Sequence, residues 1–252
     1  MLEFWQLLLL FLTGLMAGFV DSIAGGGGLI ALPVLLNLIA DPKSALGTNK
    51  LQAAFGSGSA AWHYAQAKVV SFGECRRMFI FTIIGAALGT TLVQLIEPRA
   101  LKRALPVVLL AVILYVLLKP QFGNENVKPR MSRSAFDLTF GLGLGFYDGL
   151  IGPGAGTFWT MAFVIGLGLD MTRATGQTKV VNFGSNITSL VVFLLSRKIY
   201  FAAGLIMGAG QFLGARIGSR MVVSRGTKLV KPIFITVALA LTLKLLYENY
   251  VK

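Results

Sequence analysis

Four charged residues stand where a chain this apolar leaves little room for them: Asp21, Lys50, Asp148 and Lys179. Asp21 and Asp148 each close an apolar segment just before a glycine-rich break. The breaks read Ala24-Gly25-Gly26-Gly27-Gly28 and Gly152-Pro153-Gly154-Ala155-Gly156. An aspartate deep in a membrane helix costs about 2.5–3.5 kcal/mol, so each needs a partner or a task. It can bind a coupling proton, pair with a lysine, or cap the half-helix that follows. Lys50 and Lys179 each open a later apolar segment. The helix dipole opposes a lysine there, and a nearby anion or aspartate would account for both; snorkelling to headgroups is the plainer alternative. Ser22, Asn49 and Gln52 in the first half, with Thr157, Thr178 and Asn182 in the second, add neutral hydrogen-bonding groups. Two cations, these groups and backbone N–H groups freed at Gly25, Gly26, Gly27, Gly28, Gly152, Gly154 and Gly156 suit an oxyanion.

These residues recur in order. Gly-Phe-Val-Asp at 18–21 returns as Gly-Phe-Tyr-Asp at 145–148, and Ala-Leu-Gly-Thr-Asn-Lys-Leu at 45–51 as Ala-Thr-Gly-Gln-Thr-Lys-Val at 174–180. Downstream, Gly85 and Gly89 match Gly210 and Gly214, and Lys102 with Pro106 matches Lys228 with Pro232. A duplication over nearly the whole chain follows, with a first membrane repeat at 1–119, a polar linker at 120–133 and a second repeat at 134–252. The four-residue spacing of Gly85, Gly89, Gly210 and Gly214 reads as close helix–helix contact.

The elements that must hold these residues are membrane helices. Of 252 residues, 55% are hydrophobic and only 13% charged, against roughly a quarter charged in a soluble domain. Apolar runs at 4–20, 51–67, 78–96, 101–118, 135–151, 180–196, 201–222 and 229–247 approach the roughly 20 residues that cross a bilayer core. The runs at 29–40 and 157–169 are too short and read as half-helices or re-entrant segments. The expected fold is an all-α polytopic membrane protein, a two-repeat transporter with broken or re-entrant helices and about eight transmembrane segments. Four crossings per half would make the repeats parallel; an odd number would invert them. The N-terminal run, led by Glu3 and lacking a credible cleavage site, reads as a retained helix and not a secretory signal.

The net charge of +13 sits between apolar runs, as anionic lipid headgroups select, and not on one solvated face as nucleic-acid binding requires. One cysteine and one histidine argue against a metal site, and the glycine runs lack the Lys-Ser/Thr ending of an ATP-binding loop. No cofactor is expected. The expected partners are a small anionic substrate and membrane lipid; homo-oligomerisation stays open.

Asp-Ser-Ile-Ala-Gly-Gly-Gly-Gly at 21–28, Gly-Thr-Asn-Lys-Leu-Gln at 47–52 and Tyr-Asp-Gly-Leu-Ile-Gly-Pro-Gly-Ala-Gly-Thr-Phe at 147–158 resemble the sulfite exporter TauE/SafE family, especially its YfcA-like branch. The resemblance runs over essentially the whole chain. It implies a multi-pass permease of the bacterial cytoplasmic (inner) membrane carrying a small sulfur-containing anion such as sulfite or an organosulfonate. The motif residues carried over are Asp21, Gly25 to Gly28, Asn49, Lys50, Gln52, Asp148, Gly152, Gly154, Gly156 and Lys179. Asn49 faces Thr178 in the repeat, so a site built on Asn49 is asymmetric. Two other readings use the same residues. One is a passive anion channel. The other is an intramembrane aspartyl protease with Asp21 and Asp148 as a proton-sharing dyad; the glycine breaks, which a dyad does not need, favour a transporter and not an enzyme.

Overall fold

The computed structural model describes residues 3–118, 128–225 and 247. Among these residues the ordered elements are all helices: α1 (Phe4–Ala24), α2 (Gly27–Leu38), α3 (Pro42–Gln66), α4 (Phe72–Leu95), α5 (Pro98–Leu118), α6 (Arg133–Leu150), α7 (Ala155–Leu167), α8 (Met171–Leu195) and α9 (Phe201–Arg225). The expected span at 229–247, but for its last residue, and most of the linker lie outside the described residues. Helices α1, α4 and α8 are long and apolar enough to cross a membrane by length and composition alone. The short runs at 29–40 and 157–169 form α2 and α7, the half-length helices the sequence requires.

Two boundaries move furthest. The runs at 51–67 and 180–196 belong to helices that begin at Pro42 and Met171, nine residues earlier in each case. Asp41 and Asp170 set those starts. The Asp41 carboxylate accepts the N–H of Lys43, and that of Asp170 accepts the N–H groups of Thr172 and Arg173, so orphan donors of the first turn are satisfied. The intervening polar residues form helix because neighbouring helices bury them; an apolar run is not the boundary of such a segment.

The chain direction follows from which residues meet. Gly14 packs on Met207 and Gly18 on Gln211, so α1 runs parallel to α9. Gly204 meets Leu51, Gly208 meets Phe55 and Ser59 bonds to Phe212, so α3 is parallel to α9 as well. Since α1 and α3 point the same way, α2 must carry the chain back between them. The second series repeats this: α4, α6 and α8 run together, with Gly145 on Thr82, Gly149 on Ala86 and Gly184 on Phe79, and α7 is the return. Gly47 near the start of α3 meets Phe193 in the last turn of α8 and Lys198 just beyond it, while Gly176 near the start of α8 meets Tyr64 in the last turn of α3 and Val69 just beyond it. The two series therefore point in opposite directions, the inverted arrangement in which substrate sites form near the midplane.

The series are also interlocked. Helix α1 packs chiefly on α9, and α4 on α6. A Cβ at Gly85, Gly89, Gly210 or Gly214 would run into the carbonyl oxygen of Leu142, Phe146, Phe11 or Leu15. These four glycines thus do what their spacing predicts, bringing two backbones into direct contact.

Candidate functional site

Lys50 and Lys179 are among the largest fully buried side chains, at 2% and 0% exposure. Each lies eight positions past the first residue of its helix, Pro42 or Met171. Neither opens a helix, so the dipole argument drawn from the apolar boundary does not apply, and at this burial neither snorkels to a headgroup.

Their partners come from the opposite half. Lys50 Nζ is 2.7 Å from Asp148 Oδ1, and Lys179 Nζ is 2.8 Å from Asp21 Oδ2. Lys50 also donates to the Asp148 carbonyl and, at 3.5 Å, to Asn186 Oδ1. The two aspartates are otherwise held differently. Asp21 Oδ1 accepts the N–H of Gly27 at 3.0 Å, so Asp21 caps α2 as well as pairing with lysine. Asp148 Oδ2 accepts from Asn182 Nδ2 at 2.8 Å. Capping and pairing thus coexist in the first half, while side chains hold Asp148. Each carboxylate holds its own lysine, an arrangement unlike two carboxylates sharing one proton.

The breaks touch. Gly26 and Gly154 cap α2 and α7 with φ of +89° and +80°, a left-handed backbone that side chains disfavour. A Cβ at Gly156 would lie 2.9 Å from Gly25 Cα and 3.4 Å from Lys179 Nζ; one at Gly152 would lie 2.9 Å from Lys50 Nζ. Both ammonium groups therefore sit against the second break. Thr157 Oγ1 donates to the Ala24 carbonyl at 3.0 Å, joining the two breaks directly. At Gly28, Pro153 Cα and Asn49 Nδ2 come within 3.3 and 3.7 Å of the Cβ position.

The remaining sequence-selected residues divide. Asn49 lies beside Gly28, accepts from Gln52 Nε2 at 2.8 Å, and leaves Gln52 Oε1 buried without a partner among the described residues. Thr178 is 3.0 Å from Thr160 Oγ1, which also donates to the Gly156 carbonyl. Ser22 turns away: its hydroxyl donates to the Phe19 carbonyl and abuts Gly218 of α9. Several supporting residues were not singled out by sequence. The hydroxyl of Tyr64 donates to the Ser22 carbonyl and that of Tyr147 to the Pro153 carbonyl, while Asn186 links Lys50 to Ser57. Asn186 had a signal, lying four residues past Asn182 and seven past Lys179 on one helix face. Tyr64 had none, since it acts through a backbone contact 42 positions away; Tyr147 stood in the repeated motif beside Asp148, with its bond to the adjoining break unread.

Four buried charges sum to zero around two glycine breaks whose helix N-termini offer N–H donors. Such a site can exchange a carboxylate for another anion at lysine without leaving a lone charge in a low-dielectric interior. Inverted, interlocked helix series with half-helices meeting at buried charges define a polytopic membrane protein of the transporter type.

The model of the family described as sulfite exporter TauE/SafE matches residues 10–245, and the chain belongs to that family, as a membrane transporter. It is 43% identical over 241 residues to "Probable membrane transporter protein YfcA" of Escherichia coli (strain K12), covering 96% of this chain and 90% of that one. It is 43% identical over 247 residues to "Probable membrane transporter protein ORF9" of Sinorhizobium sp, covering 98% and 95%. A "Probable membrane transporter protein" of Haemophilus influenzae is 41% identical over 243 residues, with 96% and 95% covered. No solved structure matches the chain.

Proposed function

We propose that this chain is a secondary transporter of the bacterial cytoplasmic membrane that moves a small sulfur-containing oxyanion, sulfite or an organosulfonate, together with a proton. The observation that carries the reading is the reciprocal pairing of Lys50 with Asp148 and Lys179 with Asp21 beside the touching breaks. An anion arriving alone would give the neutral cluster a net negative charge, which is costly in a buried site. If one aspartate takes a proton as the anion takes its lysine, the cluster stays neutral. Proton and anion then travel together, and the repeats at 1–119 and 134–252 each supply one aspartate and one lysine, while the interlocked α1–α3–α9 and α4–α6–α8 series are the units that move around them. Backbone N–H groups of the breaks and the Asn49 amide are the neutral donors toward the remaining oxygens.

The test is uptake into proteoliposomes holding the purified chain, with labelled sulfite and an organosulfonate, under an imposed pH gradient. Accumulation that follows the proton gradient and is lost in Lys50→Ala and Lys179→Ala supports the reading. Movement only down the solute gradient, indifferent to pH, would favour a passive channel. Transport unaffected by both lysine substitutions would remove the anion site.

A further inference from the structure

The inverted series make two corners of the molecule equivalent, and the structure holds them in different states. In the first corner the turn between α2 and α3 meets the turn after α8; in the second the turn between α7 and α8 meets the turn after α3. Both turns after the long helices have the same backbone. Arg197 and Lys68 have φ of +53° and +56°. Lys198 and Val69 then donate backbone N–H groups to Phe193 and Tyr64. Asp41 matches Asp170, Gly47 matches Gly176, and Thr48 matches Gln177.

The first corner is shut. Lys198 Nζ bridges to Asp41 Oδ2 at 3.0 Å, and the Tyr200 N–H donates to Thr48 Oγ1 at 2.9 Å. A Cβ at Gly47 would strike the Lys198 carbonyl. The second corner stands apart. Val69 replaces the lysine, and a Cβ at Gly176 would have 3.2 Å to Val69 and 3.5 Å to Tyr64 and Val70. A cleft of about 590 Å³ lies there, lined by Lys68, Val69, Ser71, Asp170, Thr172 and Arg173 among others. Its polar contacts are stretched. Glu74 Oε2 meets Arg173 at 3.6 Å and Gln177 Nε2 at 3.5 Å. Gln177 Oε1, in a side chain 1% exposed, has no partner among the described residues. Its counterpart Thr48 accepts the Tyr200 N–H, and the counterpart of Tyr200 is Ser71, on the cleft wall. A buried acceptor left orphaned beside an open cleft is a contact awaiting another conformation.

We propose that Asp41–Lys198 and Glu74–Arg173–Gln177 are opposed latches of the transport cycle, the first engaged and the second half-engaged in this structure. Closing the cleft shortens both Glu74 contacts and brings the Ser71 N–H to Gln177 Oε1, as the Lys198 bridge opens at the other corner. These are positioning residues: they decide which face reaches the breaks and do not touch the anion. The inference rests on the transporter reading, but its test does not.

The test uses the purified full chain with Thr172→Cys, whose side chain lines the cleft, and follows reaction with a hydrophilic maleimide by peptide mass spectrometry. Buried Cys75 reports unfolding in the same sample. Lys198→Ala or Asp41→Asn should slow labelling at position 172 about two- to fivefold, the shift a half-exposed ion pair can supply. Adding Gln177→Leu should restore the faster rate, and Lys198→Arg, which keeps both the bridge and the Asp41 cap, should label at the unsubstituted rate. A merely structural bridge would not give opposite effects from opposite corners. Unchanged labelling in the bridge variants overturns the latch. If Cys75 also reacts, the fold has opened, and Gln177→Leu alone, with the bridge intact, then carries the test: labelling at position 172 no faster than in the chain with Thr172→Cys alone overturns the proposal. Shifted labelling without solute movement counts against the anion reading alone; intact transport with unshifted labelling counts against the latch alone.

Discussion

Lys179 Nζ lies 2.8 Å from Asp21 Oδ2, although 158 positions separate the two residues. The lysine of α8 thereby holds the carboxylate that caps α2, so one charge fixes a helix of the other half. The Lys50–Asp148 pair joins the halves in the other sense at 2.7 Å, a first-half lysine holding a second-half carboxylate that caps no helix. Both pairs join the α1–α3–α9 series to the α4–α6–α8 series, so movement of one series against the other must deform at least one pair, which ties conformation to charge at the breaks.

Breaking a pair from one side should cost far more than removing it whole. Asp21→Asn or Lys179→Met leaves a buried charge without its partner, and such losses run to about 3–5 kcal/mol. The double variant leaves none, so its unfolding midpoint in detergent should lie above that of the Asp21→Asn chain. A double variant equal to the sum of the singles would mean the residues are not coupled.

Substitution of glycine should separate contact from background. A Cβ at Gly214 meets the Leu15 carbonyl, whereas at Gly143 nothing lies within 4 Å. Gly214→Ala forces α1 and α9 apart and should destabilise by about 1–3 kcal/mol. Gly143→Ala, on the same kind of helix, should be neutral or stabilising by up to about 1 kcal/mol, since alanine is the better helix former. Thermal unfolding of the two purified variants decides it; equal losses would deny the close contact.

The breaks, the half-helices, the four charges and the glycine contacts were legible because each follows from local composition repeated twice. The pairing across halves was not. A repeat invites pairing of Asp21 with its own half's lysine, and only inversion of the second half puts Lys179 there instead. The starts of α3 and α8 were misread for a related reason. Residues 43–50 are mostly polar, broken only by Ala45, Leu46 and Gly47, and their burial depends on helices far along the chain, although Asp41-Pro42 and Asp170 carried the capping signal. Ser22 looked like a lining group by position, yet its facing is set by Gly218 of α9.

Acid should weaken the first corner selectively. Burial pushes the Asp41 carboxyl up, but hydrogen bonds from Lys198 and Ser44, the Lys198 charge and the Lys43 N–H outweigh it and hold the group below its ordinary value of 3.8. A depressed carboxylate stabilises the fold fully above its unfolded value and loses that contribution as pH falls through the folded one. The stability gap between the native chain and Asp41→Asn should thus be constant near neutrality, shrink below pH 3.8 and vanish lower still. Unfolding midpoints of the two chains against pH test this; a gap that widens in acid would reverse the sign.

The two ends of the helix array differ in their described cations, and that difference predicts an orientation. The face bearing Glu74 gathers ten described cations: Lys68, Arg76, Arg77, Lys128, Arg130, Arg133, Arg173, Arg216, Arg220 and, by its place at the end of α9, Arg225. The opposite face has six: Lys43, Arg99, Lys102, Arg103, Arg197 and Lys198. Positive residues favour the cytoplasmic side, so the Glu74 face and its cleft should lie inside and the start of α1 outside. In intact cells, a membrane-impermeant maleimide should then react with Glu3→Cys directly and with Lys68→Cys only after permeabilisation, since native Cys75 is buried. Labelling in the opposite order would turn the molecule over, placing the shut Asp41–Lys198 corner inside and making this structure the outward-facing one.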